Sequence, residues 1–221
     1  MNANTNKLSI LVVDDEKNHR RSAEILLKGH NLLVVGSYDE AKDLLAPKVD
    51  YDLASKLNKD QGLPWGDAYK KATTYPSFDV VLTDLMMPAS RSAQGPEGLA
   101  FVGKQMPVGT FLILLALAAG VKNIAMVTDM NHHNHPASAA LDPISGSVIT
   151  VGETKIFATN NARLGHFDEA TGESLSYDFL NSEEGKEKYP EVEKYGPRKG
   201  VFSGKGWDTI LETLLAGKSE E

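Results

Sequence analysis

Short apolar runs alternate with amphipathic segments along the first half of the chain. The runs at 8–13, 31–36 and 78–83 are rich in Val, Leu and Ile and are too short for helices, so they predict buried strands. The segments at 18–28 and 39–45 carry apolar residues on one side, which predicts helices. Strands that alternate with helices predict an α/β fold with a parallel sheet covered on both faces.

The second half of the chain completes this pattern. Runs at 124–128 and 155–159 predict the fourth and fifth parallel strands, and a helix is predicted at 206–215 from its apolar spacing. A further short run at 148–151 is separated from the fifth strand by Gly152-Glu153, which suits a two-residue hairpin turn. We therefore expect a doubly wound five-stranded parallel sheet with one extra antiparallel hairpin strand.

Two segments interrupt the alternation. Residues 46–77 are too long for an ordinary connection and predict an insertion at the edge, with helical pieces near 53–58 and 66–73. Residues 162–205 are polar and charged and predict a long loop or loosely structured excursion. The loop at 88–98 is expected to lead into a helix broken near 107–109. We interpret residues 1–221 as a single domain without a separate output domain.

Composition narrows the possible functions. The 221 residues include no Cys, which excludes disulfides and Cys-ligated metals and suits a cytoplasmic protein. A net charge of −7 argues against a nucleic-acid-binding surface. The apolar stretch 108–127 is long enough to cross a bilayer, but residues 120–123 divide it into a predicted helix and strand. We therefore expect no membrane insertion.

Carboxylates follow three of the predicted strands. Asp14 and Asp15 end the first strand, Asp84 ends the third, and Asp129 follows the fourth. The carboxyl ends of parallel strands meet at one edge of a sheet, so these groups should converge there and require a cation. Mg²⁺ prefers such oxygen ligands, and a carboxylate beside it can accept a phosphoryl group. The hydroxyl of Thr128 is placed to hydrogen-bond a phosphoryl oxygen.

Two sequence segments resemble a known family. The sequence ILVVDDE at 10–16 and the sequence FDVVLTDLMMP at 78–88 resemble the corresponding parts of response-regulator receiver domains, and Gly98 matches a glycine that follows in them. The resemblance implies a flavodoxin-like fold in which Asp84 is the phosphoacceptor. It also implies that Asp14 and Asp15 hold Mg²⁺ together with the backbone carbonyl of Met86.

The resemblance further implies that Thr128 is the switch hydroxyl, but the chain departs from the family at two positions. Receivers carry a Lys at the end of the fifth strand, where this chain has Thr159 and Asn160. We interpret the chain as an atypical receiver in which one of these uncharged residues stands in for the Lys. Asp129 occupies a position where receivers usually have a small residue, and it adds negative charge to the site.

The most unusual local feature is the group of His132, His133 and His135 after the fourth strand. Imidazoles favour Zn²⁺, Ni²⁺ or Cu²⁺, and Asp129 could join them. Alternatively, a protonated His near Asp84 supplies the charge of the missing Lys, or the three residues form an ordinary polar loop. Tyrosines at 177, 189 and 195 either form a partner surface or pack locally.

These observations favour a stand-alone response-regulator receiver, which is not an enzyme. It would accept a phosphoryl group on Asp84 from a histidine kinase or phosphotransfer protein in a Mg²⁺-dependent phosphorelay. It would then signal by contact with an unidentified downstream protein. One alternative is a pseudo-receiver that acts as an interaction module without phosphorylation. Another is a metal-dependent hydrolase that combines the acidic edge with the His group.

Overall fold

The computed structural model describes residues 7–90, 95–193 and 196–217. Its main sheet has six strands: β1 (Ser9–Val13), β2 (Asn31–Val35), β3 (Val80–Asp84), β4 (Asn123–Val127), β5 (Ser147–Val151) and β6 (Thr154–Thr159). The strand order is β2-β1-β3-β4-β6-β5, in which β5 alone runs antiparallel to its neighbour. The five parallel strands have the flavodoxin-like order, so the predicted fold class is confirmed.

Nine α-helices lie in the described ranges: α1 (Lys17–Leu26), α2 (Tyr38–Leu45), α3 (Tyr51–Gln61), α4 (Trp65–Lys71), α5 (Gly109–Ala118), α6 (Pro136–Ala139), α7 (Tyr177–Asn181), α8 (Glu183–Lys188) and α9 (Trp207–Ala216). The sheet is covered on both faces because side chains alternate along each strand. Leu11 and Val13 pack in a core with α2 and α5, whereas Ile10 and Val12 pack with α1 and α9.

The predicted hairpin at the sheet edge is confirmed. Val151 pairs with Thr154, so Gly152 and Glu153 form the two-residue turn. Gly152 has a φ of 61°, a conformation that glycine adopts without steric cost.

The insertion at 46–77 also has the predicted helical pieces, now seen as α3 and α4. A two-stranded antiparallel ladder between Lys48–Val49 and Thr73–Thr74 closes its base. The insertion therefore leaves the main sheet and returns to it at adjacent points.

The interpretation of 162–205 as a loose excursion is wrong. This segment forms a second antiparallel sheet of three strands, β7 (Gly165–Asp168), β8 (Ser174–Leu175) and β9 (Val201–Gly204), and carries α7 and α8. Leu175, Leu180 and Tyr189 form a small core of its own. The strands are too short and too rich in glycine and polar residues to give a recognisable alternating pattern.

The predicted two-piece helix after Gly98 is reduced to one 3₁₀ turn, Gly98–Phe101, followed by α5. Between them, Gln105–Met106 pairs with Met87–Pro88 beside the end of β3. Gly109 begins α5 against the end of β3, where an added Cβ would lie 2.0 Å from the Asp84 carbonyl oxygen. No helix within the described ranges is long and apolar enough to cross a membrane.

Candidate functional site

Three carboxylates form a cluster at the carboxyl end of the main sheet. Asp14 and Asp15 follow β1, and Asp84 is the last residue of β3, which pairs with β1 in parallel register. Each of these residues has a carboxylate oxygen within 4.8 Å of such an oxygen in the other two. Asp14 is fully buried and Asp84 is 4% exposed, whereas Asp15 is partly exposed. The parallel register thus brings together residues that are about 70 positions apart in sequence.

A lysine that the sequence analysis missed completes this cluster. Lys205 is fully buried, and its Nζ lies 2.7 Å from Asp14 Oδ2 and 3.1 Å from Asp84 Oδ1. It comes directly after β9 and two residues before α9, so the whole 162–204 excursion separates it from β6 in sequence. The available signal was a single Lys just before the last predicted helix.

The suggestion that Thr159 or Asn160 replaces this lysine is therefore wrong. Asn160 donates to Asp142 Oδ1 at 2.6 Å and accepts from the Ser145 hydroxyl at 2.7 Å. Thr159 Oγ1 accepts from the Asn161 backbone N–H at 3.0 Å. These bonds hold the end of β6 in place, whereas the positive charge near Asp84 comes from Lys205.

Burial and charge together determine the protonation of the cluster. Desolvation raises the pKa of Asp84 to about 7, with a further contribution from the negative charge of Asp14, although Lys205 opposes both. Burial alone would lower the pKa of Lys205, but the carboxylates of Asp84 and Asp14 outweigh it and raise this pKa. Lys205 therefore stays charged, while Asp84 titrates near neutrality.

The cluster fits a divalent cation with oxygen ligands. Three carboxylates and one ammonium leave a formal charge of −2 when all are ionised. Asp84 Oδ1 is buried and has no aligned hydrogen-bond donor among the described residues, although Lys205 lies at ion-pair distance. A buried carboxylate oxygen without a donor is costly, and a hard cation would satisfy it. The residues present thus match the donor set expected for Mg²⁺.

A cleft of about 330 Å³ opens beside Asp84, and its lining includes Asp15, Met86, Gln105, Thr128 and Asp129. Met86, proposed to contribute its carbonyl, therefore lies beside the cluster. Gln105, which the sequence analysis did not single out, donates its side-chain N–H to Asp15 Oδ2 at 2.8 Å.

Thr128 follows β4 directly and is fully buried in the wall of this cleft. Its hydroxyl oxygen accepts from the Met130 backbone N–H at 3.1 Å. That bond uses a lone pair, so the hydroxyl proton remains available to donate. Thr128 is therefore located where a hydroxyl can donate into the space beside Asp84.

Asp129 has a partner that the sequence analysis did not identify. His19 on α1 places its Nε2 3.2 Å from Asp129 Oδ2, and both residues line the cleft. This hydrogen bond from His19 lowers the pKa of Asp129 to about 2. The additional negative charge expected from Asp129 is therefore present in the cleft throughout the neutral pH range.

The three loop histidines do not converge on a common metal position. His132 Nδ1 lies 2.9 Å from Asp142 Oδ1 and its Nε2 lies 3.0 Å from His133 Nε2. His135 instead uses its Nδ1 to accept the Ala137 backbone N–H at the start of α6.

Across residues 7–90, 95–193 and 196–217, the acidic cluster is the only group of three or more possible metal ligands. The interpretations of His132, His133 and His135 as a metal centre with Asp129, or as the charge beside Asp84, are therefore wrong. Asp129 bonds to His19, and Lys205 provides the charge.

Tyr177 and Tyr189, the two of the tyrosines at 177, 189 and 195 that the structure describes, do not form a common surface, because one is exposed and the other is buried. Tyr189 is buried and donates its hydroxyl to Asp168 Oδ2 at 2.6 Å, whereas Tyr177 is 73% exposed. Tyr195 lies outside the described residues. Tyr189 thus has a local structural role in the small core that it forms with Leu175 and Leu180.

The chain matches no protein-family model and no curated protein sequence. Among solved structures it is similar to the receiver domain of the histidine kinase CKI1 from Arabidopsis thaliana, determined in complex with Mg²⁺ and BeF₃⁻. The match has a TM-score of 0.32 and 17% identity and covers 70% of this chain and 82% of that chain. The fold class rests on the strand order and on the helices that cover both faces of the sheet.

Proposed function

We propose that this chain is a receiver-type signalling protein that accepts a phosphoryl group on Asp84. The observation that carries the proposal is the buried cluster of Asp14, Asp15 and Asp84 with Lys205 at the carboxyl end of the sheet. Two carboxylates provide a site for a divalent cation, a third provides the nucleophile, and an ammonium lies beside that nucleophile. This combination of charges stabilises a phosphoryl group during its transfer.

In the proposed reaction, an oxygen of the Asp84 carboxylate attacks the phosphorus of a phosphohistidine donor. An O–P bond forms to give an acyl phosphate, and the P–N bond to the donor imidazole breaks. Asp14 and Asp15, with the Met86 carbonyl, would hold Mg²⁺, which when bound offsets the charge on the transferred group. Lys205 is positioned to pair with a phosphoryl oxygen, and Thr128 can donate to another.

The donor would be a histidine kinase or a phosphotransfer protein, and the phosphorylated form would act by contact with a downstream protein. The chain is then the acceptor in a phosphorelay and not a turnover enzyme. The third sequence-based alternative, a hydrolase that joins the acidic cluster to the loop histidines, is not proposed because His132 and His133 bond to each other and His135 caps α6.

One pair of observations favours a second candidate, the phosphorylation-independent pseudo-receiver. Asp84 is 4% exposed, and the ionised Asp129 lines the same cleft. Both features oppose the entry of a phosphoryl anion. In that case Lys205 would pair permanently with Asp14 and Asp84, and the conformation would be set by a partner alone.

Intact-protein mass spectrometry after incubation with acetyl phosphate and Mg²⁺ distinguishes these candidates. We expect one added phosphoryl group on the wild type and none on Asp84→Asn. Asp60→Asn is the matched control, because Asp60 is an exposed carboxylate on α3. Its phosphorylation should equal that of the wild type.

A parallel Mg²⁺ titration can use the fluorescence of Trp207. This buried ring lies 5.5 Å from Lys205 Nζ, and Trp65→Phe removes the exposed second tryptophan. Mg²⁺ binding without any added mass would support the pseudo-receiver. Added mass that persists in Asp84→Asn would overturn the assignment of the phosphoacceptor.

A further inference from the structure

The segment between β6 and α9 leaves the main domain and returns to it at one point. The Gly206 backbone N–H donates to the Ala162 carbonyl at 3.2 Å, which closes the base of the segment. Arg163, the first residue beyond this closure, has a φ of 46° and is the only non-glycine residue with positive φ in the described ranges. Lys205 is therefore the residue at which segment 163–204 rejoins the fold.

The sheet of this segment packs on α1, the helix that follows Asp14 and Asp15 in sequence. The contacts come from one face of α1, which carries Asn18, Arg21, Ser22 and Ile25. The Arg21 guanidinium lies 4.6 Å from the centre of the Phe202 ring and donates to the Glu169 carbonyl. A Cβ added at Gly172 would lie 3.0 Å from Ile25 Cδ1. The sheet therefore has a defined position relative to Asp14 and Asp15.

The tightest contact lies next to Lys205. A Cβ added at Gly204 would lie 2.4 Å from Ser22 Cβ and 3.0 Å from the Asn18 carbonyl oxygen, so any side chain there forces β9 away from α1. The buried Ser22 hydroxyl lies 3.0 Å from the Lys205 carbonyl oxygen and 2.8 Å from that of His19. The backbone of Lys205 is thus held directly by α1.

We propose that the sheet of segment 163–204 sets the position of Lys205 beside the phosphoacceptor, with Gly204 and Ser22 as the positioning residues. This inference rests on the proposed function for its consequence, because Lys205 is the ammonium beside Asp84. When the sheet is docked on α1, Lys205 neutralises one carboxylate and can pair with the incoming phosphoryl group. A substitution that moves the sheet away from α1 should withdraw the ammonium from the cluster.

Displacement of Lys205 has two consequences of opposite sign. Phosphorylation slows because a preorganised positive charge is lost, an effect of roughly a hundredfold when such a group is removed entirely. Affinity for Mg²⁺ increases, because Mg²⁺ binds the ionised carboxylates, and the formal charge of these three ionised groups with their ammonium changes from −2 to −3 when the ammonium leaves. General unfolding would weaken both properties together.

The test compares Gly204→Ala with Lys205→Met and with Gly66→Ala. Gly66 lies in α4, where an added Cβ meets nothing within 4 Å, so it controls for the substitution itself. We measure the rate of phosphorylation by acetyl phosphate, the Mg²⁺ affinity from Trp207 fluorescence, and urea unfolding of the single and double variants. The unfolding energies of the single and double variants form a double-mutant cycle, here called the unfolding cycle. This cycle and the Mg²⁺ titration do not depend on phosphorylation.

We expect Gly204→Ala to slow phosphorylation about tenfold or more and to tighten Mg²⁺ binding, as Lys205→Met does more strongly. The double variant Gly204→Ala/Lys205→Met should be no slower than Lys205→Met, because the ammonium is already absent. Ser22→Gly should restore part of the rate of Gly204→Ala by removing the clashing atoms.

Several results would overturn this inference. They are a Gly204→Ala protein with the wild-type rate and Mg²⁺ affinity, additive unfolding energies for Gly204→Ala and Lys205→Met, or weakened Mg²⁺ binding in Gly204→Ala. A wild-type chain that cannot be phosphorylated would instead reject the proposed function. The Mg²⁺ titration and the unfolding cycle would then still decide whether the sheet positions Lys205.

Discussion

The buried carboxyl of Asp84 makes the stability of the protein depend on pH in a way that one substitution can isolate. Its pKa is raised to about 7 from an ordinary value of 3.8, chiefly by burial. Between these two values the folded state binds a proton that the unfolded state has lost. The free energy of unfolding contributed by this group is therefore highest at acid pH and falls as the pH rises from about 4 to about 7.

The raised pKa of Asp84 gives an order of magnitude for this effect. A change from 3.8 to about 7 corresponds to roughly 4 kcal/mol at about 1.36 kcal/mol per pH unit. Because part of this change is complete below pH 5, roughly 2–3 kcal/mol should remain to be lost between pH 5 and pH 8. Solvent screening reduces this free energy only slightly, since the Asp84 side chain is 6% exposed.

Asp84→Asn removes the titrating group but keeps the size of the side chain. We expect the wild type to lose roughly 2–3 kcal/mol of stability relative to Asp84→Asn between pH 5 and pH 8. The assay is urea unfolding at both pH values with EDTA present, followed by Trp207 fluorescence, because a bound cation would shift the titration. The Asp129 carboxyl does not interfere, since its pKa is about 2. A constant stability difference between the two proteins from pH 5 to pH 8 would refute the reasoning.

Three further predictions concern Lys205, Asp129 and Asn160. Lys205→Met should destabilise the protein at pH 8 by about 3–5 kcal/mol in urea unfolding, because two buried carboxylates lose their ammonium partner. The loss should be smaller at pH 5, where Asp84 is protonated, and an equal loss at both pH values would contradict the pairing. Asp129→Asn should lower stability at pH 6, and this difference should vanish as the pH falls from about 4 to about 2. In acid titrations followed by circular dichroism, His19→Gln should reproduce this behaviour, and fully additive effects of the two substitutions would argue against their hydrogen bond. Asn160→Ala should lower the free energy of unfolding by about 1 kcal/mol, since it removes the side-chain hydrogen bonds to Ser145 and Asp142 at the end of β6. Asn160→Ala should leave the rate of phosphorylation unchanged. A decrease in this rate as large as that of Lys205→Met would show that Asn160 belongs to the phosphoacceptor site.

Local pattern was sufficient for the sheet and for the acidic cluster. Each parallel strand is a short apolar run of consecutive residues, so periodicity and length identify it without knowledge of its neighbours. Asp14, Asp15 and Asp84 could be grouped because parallel strands place their carboxyl ends at one edge. That rule turns a position in sequence into a position in space.

The same reasoning failed where partners were separated by a segment of unrecognised structure. The ammonium of Lys205 reaches Asp14 across 191 positions of sequence. The strands β7 to β9, which bring it back, are only four, two and four residues long. Short polar strands carry little periodic signal, so the excursion looked like a loop and the lysine appeared to be absent. The prediction of a metal site at the loop histidines was wrong for the opposite reason. These residues are close in sequence, but neighbours in sequence share a metal only if the backbone turns their nitrogens towards one point.

The sequence by itself thus determined the class of fold, the hairpin at its edge and the acidic end of the sheet, because local periodicity encodes each of them. Tertiary structure decided the electrostatics of the site. It placed Lys205 between Asp14 and Asp84, paired His19 with Asp129, and excluded the loop histidines from the cluster. The physical reason is that the pKa of Asp84 and the charge around it depend on burial and on distances of about 3 Å. Those distances depend on contacts between segments far apart in sequence, among them the contact of Gly204 and Lys205 with Ser22 on α1.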